Sequence, residues 1–131
     1  MSRENVEIVR AAFAEFQRGN FWVPEFFEPD VRVRWLDAVG TPSETVGLQD
    51  MTTFMLNWLE TFDNMSMVAE RVVDAGDQVV VIAAWQGRGK ASGVDTEWRQ
   101  GAVWTLRNGR VASVIGYQEP SDALAAVGLS E

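Results

Sequence analysis

By type and spacing, Asp37 is the residue of this chain best suited to chemistry. It stands in VRVRWLDAVGTP, residues 31–42. Read as a strand, this segment sends alternate side chains to opposite faces. Val31, Val33 and Trp35 share one face and Asp37 continues their series, whereas Arg32, Arg34 and Leu36 point the other way. A carboxylate on an apolar wall is paired, protonated, or held at a rim in water. Two readings follow. In one, Asp37 is a hydrated strand-end acid that starts the turn before Gly40. In the other it sits in an apolar pocket, where desolvation raises its pKa toward the working pH and suits it to general-base catalysis. Arg99 bears on the choice. A guanidinium beside Asp37 would lower the pKa and leave a fixed anion, better at binding than at taking a proton.

What else could do chemistry is limited by two absences. The 131 residues include no Cys and no His. That excludes thiol nucleophiles, thiolate metal sites, disulfides, imidazole bases and every Ser-His-Asp arrangement. Acid–base work falls to Asp, Glu, Arg, the single lysine Lys90 and the single tyrosine Tyr117. A net charge of −8 argues against nucleic acid or an anionic membrane surface as partner. No apolar run approaches membrane-spanning length and no signal peptide is evident, so a cytoplasmic protein is expected.

Two short motifs resolve into turns. Gly87 to Gly93, GRGKASG, has glycines spaced G-x-G-x-x-x-G between two strands, with no helix following to hold a phosphate. Asp74-Ala75-Gly76-Asp77 offers too few oxygens for calcium, and turn chemistry explains both acids. No metal and no cofactor are expected.

The aromatic residues are more informative. Six Trp and seven Phe exceed what a minimal core of this size needs. The rings either fill the core and a subunit interface, or line a cavity for a hydrophobic small molecule. The residues expected to line such a cavity are Trp35, Met55, Trp58 and Trp85.

The elements that must position these residues follow from periodicity. A helix capped by Ser2 carries Val6, Val9, Phe13 and Phe16 on one face and ends at Gly19-Asn20. PEFFE reads as a short helix opened by Pro24 and stopped by Pro29-Asp30, before the first strand. GTPSETVG reads as a loop. A second helix, Leu48 to Phe62, has Leu48, Met51, Met55, Trp58 and Phe62 on one stripe, spaced as a buried face.

Four strands follow, Met65–Asp74, Gln78–Lys90, Thr96–Leu106 and Arg110–Gln118. Ala75-Gly76 and Asn108-Gly109 make hairpin turns between them, the second of type I′. Both faces of Gln78–Lys90 are apolar as far as Gln86, so it should be central and covered on both sides. Trp98, Gln100 and Trp104 share a face, and Arg99 lies on the other. Ser121 caps a short last helix. The order predicts one α+β domain over 1–131, a curved sheet wrapped round its helices.

With these elements in view, the chain resembles the SnoaL-like and ketosteroid-isomerase-like proteins of the nuclear-transport-factor-2-like superfamily. The resemblance rests on IVRAAFAEFQRGN, DVRVRWLDAVGTP, GLQDM, AGDQVVVIAAWQGRGKASG and VWTLRNGRVASVIGYQEPSDALAAVGL. It implies a cone: three helices on a strongly curved, mainly antiparallel sheet with an internal pocket, paired as a homodimer. In ketosteroid isomerases a general-base aspartate ends the first strand in a D-P-V-G-like context, which Asp37-Ala38-Val39-Gly40 resembles.

Their oxyanion donors do not carry over, because the matching positions hold Ala12 and Gly101. Limonene-epoxide hydrolases use an Asp-Arg-Asp set whose second Asp would fall near Gly116. The same pairing with isomerases implies that Gly101 faces the pocket, leaving room for a ligand, and that Arg99 shares its face beside Asp37. The implied reaction class is carboxylate-mediated proton transfer, as in isomerisation or aldol-type cyclisation. A non-catalytic binding or dimerisation module, and epoxide hydrolysis, are the alternatives.

Overall fold

The structure is a computed structural model and describes residues 2–36 and 43–129. The helix α1 spans Ser2–Gln17, and a single 3-10 turn at Pro24–Phe26 leads into β1, Phe27–Leu36. Next come β2, Ser43–Val46, and α2, Leu48–Leu59. The strands β3, Phe62–Ala75, β4, Gln78–Gly89, β5, Asp95–Arg107, and β6, Arg110–Tyr117, precede α3, Pro120–Ala126. All six strands join one curved sheet in the order β2-β1-β6-β5-β4-β3. Among the described residues, only the β1–β6 pair is parallel. This is the α+β cone expected from the sequence.

The apolar stripe of α1 places Val9, Ala12, Phe13 and Phe16 in the main core and packs the helix against β3 and β4. Its end follows from Gly19, whose φ of +86° lets the chain turn back on itself. There Gly19 N–H donates to the Phe16 carbonyl and Asn20 N–H to the Glu15 carbonyl, both at 3.0 Å. This reversed pair of bonds satisfies carbonyls that a helix end otherwise leaves open.

Side chains add a clasp to this turn. Glu15 accepts from the Asn20 amide at 3.0 Å and from the Arg18 guanidinium at 2.7 Å. The Asn20 bond, then the Arg18 bond, hold the Glu15 carboxyl below the ordinary glutamate value. Because folding lowers this pKa, the clasp stabilises fully above the ordinary glutamate value and is lost as pH falls through the lowered one. Thermal melts from about pH 6 to about pH 3 should therefore show a gentler acid decline for Glu15→Gln than for wild type. Parallel declines would show that Glu15 contributes nothing on the acid side.

Several segments differ from their sequence expectation. PEFFE is cut to one 3-10 turn because Phe27 is drawn into the sheet opposite Val111, where it is buried. Pro29 is tolerated in β1 because the β1–β6 pairing is interrupted between Phe27 and Arg32. The supposed loop GTPSETVG contains β2, a short edge strand whose Glu44 lies 3.9 Å from Arg32 and 3.6 Å from Arg34 across the pair.

The helix α2 stops at Leu59, where Thr61 donates both its N–H, at 3.1 Å, and its hydroxyl, at 2.6 Å, to the Trp58 carbonyl. Phe62 then opens β3 opposite Gly89. At the other end of the chain, Glu119 rather than Ser121 holds the N-cap position of α3.

The strand β4 is covered on both faces, as its sequence demands. Val79, Val81, Ala83 and Trp85 join the main core. Val80 and Ile82 pack on the outer side with Val103, Ala123 and Leu124, so α3 seals that side. The turns also agree. Asn108 and Gly109 have φ of +56° and +78°, as a type I′ turn requires, and Gly76 N–H donates to the Asp74 carboxylate at 2.9 Å. GRGKASG closes the β4–β5 hairpin, with Gly93 N–H bonded to the Gly89 carbonyl at 2.7 Å.

Candidate ligand-binding cavity

Inside the cone, two adjoining chambers lie between the inner sheet face and α2. The inner one, about 70 Å³, is floored by rings from β1, β5 and α1, including Phe13, Phe27 and Trp104. The outer one, about 370 Å³, is walled by Trp58, Phe62, Trp98 and Tyr117 among others. Trp35, Phe54, Trp85 and Gln100 line both. Among the described residues, neither chamber is lined by an Asp, Glu, Lys or Arg.

The outer chamber is built on an indole cluster. Trp58 meets Trp85 edge-on at 5.2 Å and Trp98 edge-on at 6.0 Å, while Trp85 and Trp98 stack at 6.1 Å across the β4–β5 pair. Phe62 adds a further edge contact to Trp58 at 5.2 Å. Each such pair contributes about 0.5–1.5 kcal/mol beyond its buried area, so the wall is stiff. Trp98 Nε1 donates to Gln100 Oε1 at 3.2 Å, which orients the one amide side chain shared by both chambers.

The cavity also explains why α2 has no fully buried residue. Leu48, Met51, Met55 and Trp58 lie on the expected stripe, but they are half-buried because part of that stripe faces open space rather than core. A second consequence is local. Trp35 pairs with Gly116 across β1 and β6, and its ring lies over that glycine. A Cβ on Gly116 would stand 2.0 Å from Trp35 Cε3, so the missing side chain is what lets the indole lie there.

Of the residues singled out from sequence, Trp35, Met55, Trp58 and Trp85 come together on the chamber walls. Arg99 and Gly101 do not share that arrangement. Strand alternation puts Trp98, Gln100 and Trp104 inward, which sends Arg99 outward. Arg99 is exposed and paired with Glu70, its Nε 2.6 Å from the Glu70 carboxylate. The Cβ direction of Gly101 runs into Ala123 and Pro120 of α3, so its missing side chain makes room for that helix. Gly101 reaches the inner chamber only as backbone, and the inward position beside it is Gln100. Asp37 lies outside the described residues, together with its Ala38-Val39-Gly40 context.

Several lining residues were not singled out from sequence. Thr45 lies in GTPSETVG, which by sequence alone reads as a loop, and the pairing of β2 with β1 gives it an inward face. Thr52 and Phe54 flank the helical stripe one position from Met51 and Met55. Gln100 had a legible signal, since it alternates with Trp98 and Trp104.

A curved sheet closed by helices around an aromatic chamber defines a small α+β protein of the nuclear-transport-factor-2-like type. The chain belongs to the SnoaL-like domain family, whose model matches residues 9–114. Among proteins of curated function, no sequence matches it. Solved structures confirm the fold. An NTF2-like protein of unknown function from Burkholderia pseudomallei is 19% identical at a TM-score of 0.78, covering 95% of this chain and 98% of that one. A candidate SnoaL-like polyketide cyclase from Jannaschia is 22% identical at 0.78, covering 99% and 95%. TerC, co-crystallised with polyporic acid, is 17% identical at 0.74, covering 95% and 98%.

Proposed function

We propose that this protein binds a hydrophobic small molecule in the aromatic cavity and that Asp37 serves there as base or polar anchor. The observation that carries the reading is a pair of ring-lined chambers with no charged side chain among the described residues. Trp35 lines both chambers, and Asp37 is the next member of its alternating series. Solved structures of the same fold add support, since TerC was crystallised with polyporic acid. The reaction class is proton transfer at a carbon next to a carbonyl, as in isomerisation or aldol-type cyclisation. Epoxide hydrolysis has less support: its second acid would fall near Gly116, where the Trp35 ring occupies the space above the glycine.

Proton exchange tests this without knowledge of the natural substrate. Wild-type protein in D₂O should accelerate deuterium exchange at C2 of 1-tetralone, followed by proton NMR. Asp37→Asn should slow the catalysed rate by about 10²–10⁴-fold, the usual worth of a general base. If Asp37 is an anchor, exchange stays at the buffer rate and the substitution weakens tetralone binding instead. Unchanged binding and unchanged exchange in Asp37→Asn would remove Asp37 from the site.

A further inference from the structure

Four side chains line both chambers and so form the junction between them: Trp35, Phe54, Trp85 and Gln100. Three of them are fixed. The Trp35 ring lies on Gly116, which has no Cβ to lift it away. Trp85 is only 5% exposed and stacks on Trp98, with Trp58 edge-on to it. Gln100 accepts the Trp98 indole N–H at 3.2 Å. Phe54 differs in each respect. It is 37% exposed, it projects from α2 rather than from the sheet, and it forms no aromatic pair among the described residues.

The helix that carries Phe54 is itself tethered at both ends. Before α2, Gly47 N–H donates to the Val31 carbonyl at 2.8 Å; after it, Lys90 N–H donates to the Thr61 carbonyl at 2.9 Å. Trp58 adds edge contacts to Trp85 and Trp98 near the end of the helix. A movement that joins the chambers therefore belongs to one side chain and not to the helix. Exposed side chains change rotamer within nanoseconds, far faster than helices shift. The inner chamber, about 70 Å³, is well below the about 300–1,000 Å³ of pockets that hold small molecules. A ring compound uses that space only when it is joined to the outer chamber.

We infer that Phe54 is the gate between the chambers: rotated toward solvent it joins them into one cavity, and rotated back it closes the inner one. This rests on the small-molecule reading above and adds how a ligand reaches the inner chamber. The closed position is favoured because rotation outward returns the buried part of the ring to water. The gate is thus open for a minority of the time, roughly one part in ten, and entry to the inner chamber is slowed by that fraction.

The tryptophans supply the reporters, because Trp104 lines only the inner chamber whereas Trp58 and Trp98 line only the outer one. Their indole N–H signals in ¹⁵N-labelled protein, assigned with Trp58→Phe, Trp98→Phe and Trp104→Phe, are followed by NMR as 1-tetralone is added. In wild type the Trp58 and Trp98 signals should respond, and the Trp104 signal should exchange between its free and bound positions more slowly than theirs. In Phe54→Ala the Trp104 exchange rate should rise about tenfold while the Trp58 and Trp98 rates change little. This variant places the strongest helix former at a partly exposed helix position, so it keeps the fold. Leu56→Ala trims an apolar side chain of α2 that is 50% exposed and lines neither chamber, and it should match wild type. A Trp104 response confined to Phe54→Ala also supports the gate. Equal Trp104 rates in wild type and Phe54→Ala would overturn the inference. So would an equal acceleration by Leu56→Ala, which means that the whole helix has loosened, or a Trp104 signal that never responds while the outer signals do. Each of these leaves the small-molecule reading standing. Silence of all three signals in both proteins removes that reading and the inference with it.

Discussion

Trp104→Ala is expected to destabilise the protein by about 3–5 kcal/mol, the usual cost of removing a large buried ring. Trp104 is only 5% exposed, and its ring lies 5.4 Å from Phe13 and 5.9 Å from Phe27. It pairs with Val79 of β4 and Val114 of β6, so it ties both neighbouring strands to α1 at the floor of the inner chamber. Domains of this size hold only about 5–15 kcal/mol in total, so the variant should sit close to unfolding. Urea denaturation at equilibrium measures the loss. Trp104→Phe keeps a ring against Phe13 and should lose distinctly less. A loss below about 1 kcal/mol for Trp104→Ala would mean that the ring is not packed as core.

Gly116→Ala should have the second large effect, out of proportion to one added methyl group. The new Cβ would fall 2.0 Å and 2.2 Å from two carbons of the Trp35 ring. No small adjustment relieves such contacts, so the indole must leave its place over β6. Overpacking of this kind costs about 1–3 kcal/mol, and here it also displaces a wall common to both chambers. A double-mutant cycle identifies the cause. Trp35→Val removes the obstructing ring, so Gly116→Ala placed in that background should cost much less than in wild type. Equal costs in both backgrounds would show that the strain arises elsewhere than at the indole.

Much of the fold could be read from local pattern because its elements are periodic. The α1 stripe, the two-faced apolar run of β4 and the Asn-Gly turn each contain their own instruction, and each is found where expected. Reading failed where a neighbour decides. SETV carries no strong strand signal and becomes β2 only by pairing with β1. PEFFE has helical residues, but burial of Phe27 against β6 ends its helix after one turn.

The candidate site divides along the same line. Sequence by itself determined the chemical repertoire: no thiol, no imidazole, an excess of rings, and an acid continuing an apolar strand face. It also determined that Arg99 and Trp98 look in opposite directions, since alternation is local. Only the tertiary structure decided which of those directions is inward. Curvature of the sheet and the docking of α3 turned Arg99 and the bare side of Gly101 outward, and left Gln100 inside. Among the described residues, tertiary packing also left three buried indole N–H groups and two buried hydroxyls without partners, all on residues that line one chamber. No pattern in the chain announces that, because whether a polar group is satisfied depends on what the rest of the molecule brings to it.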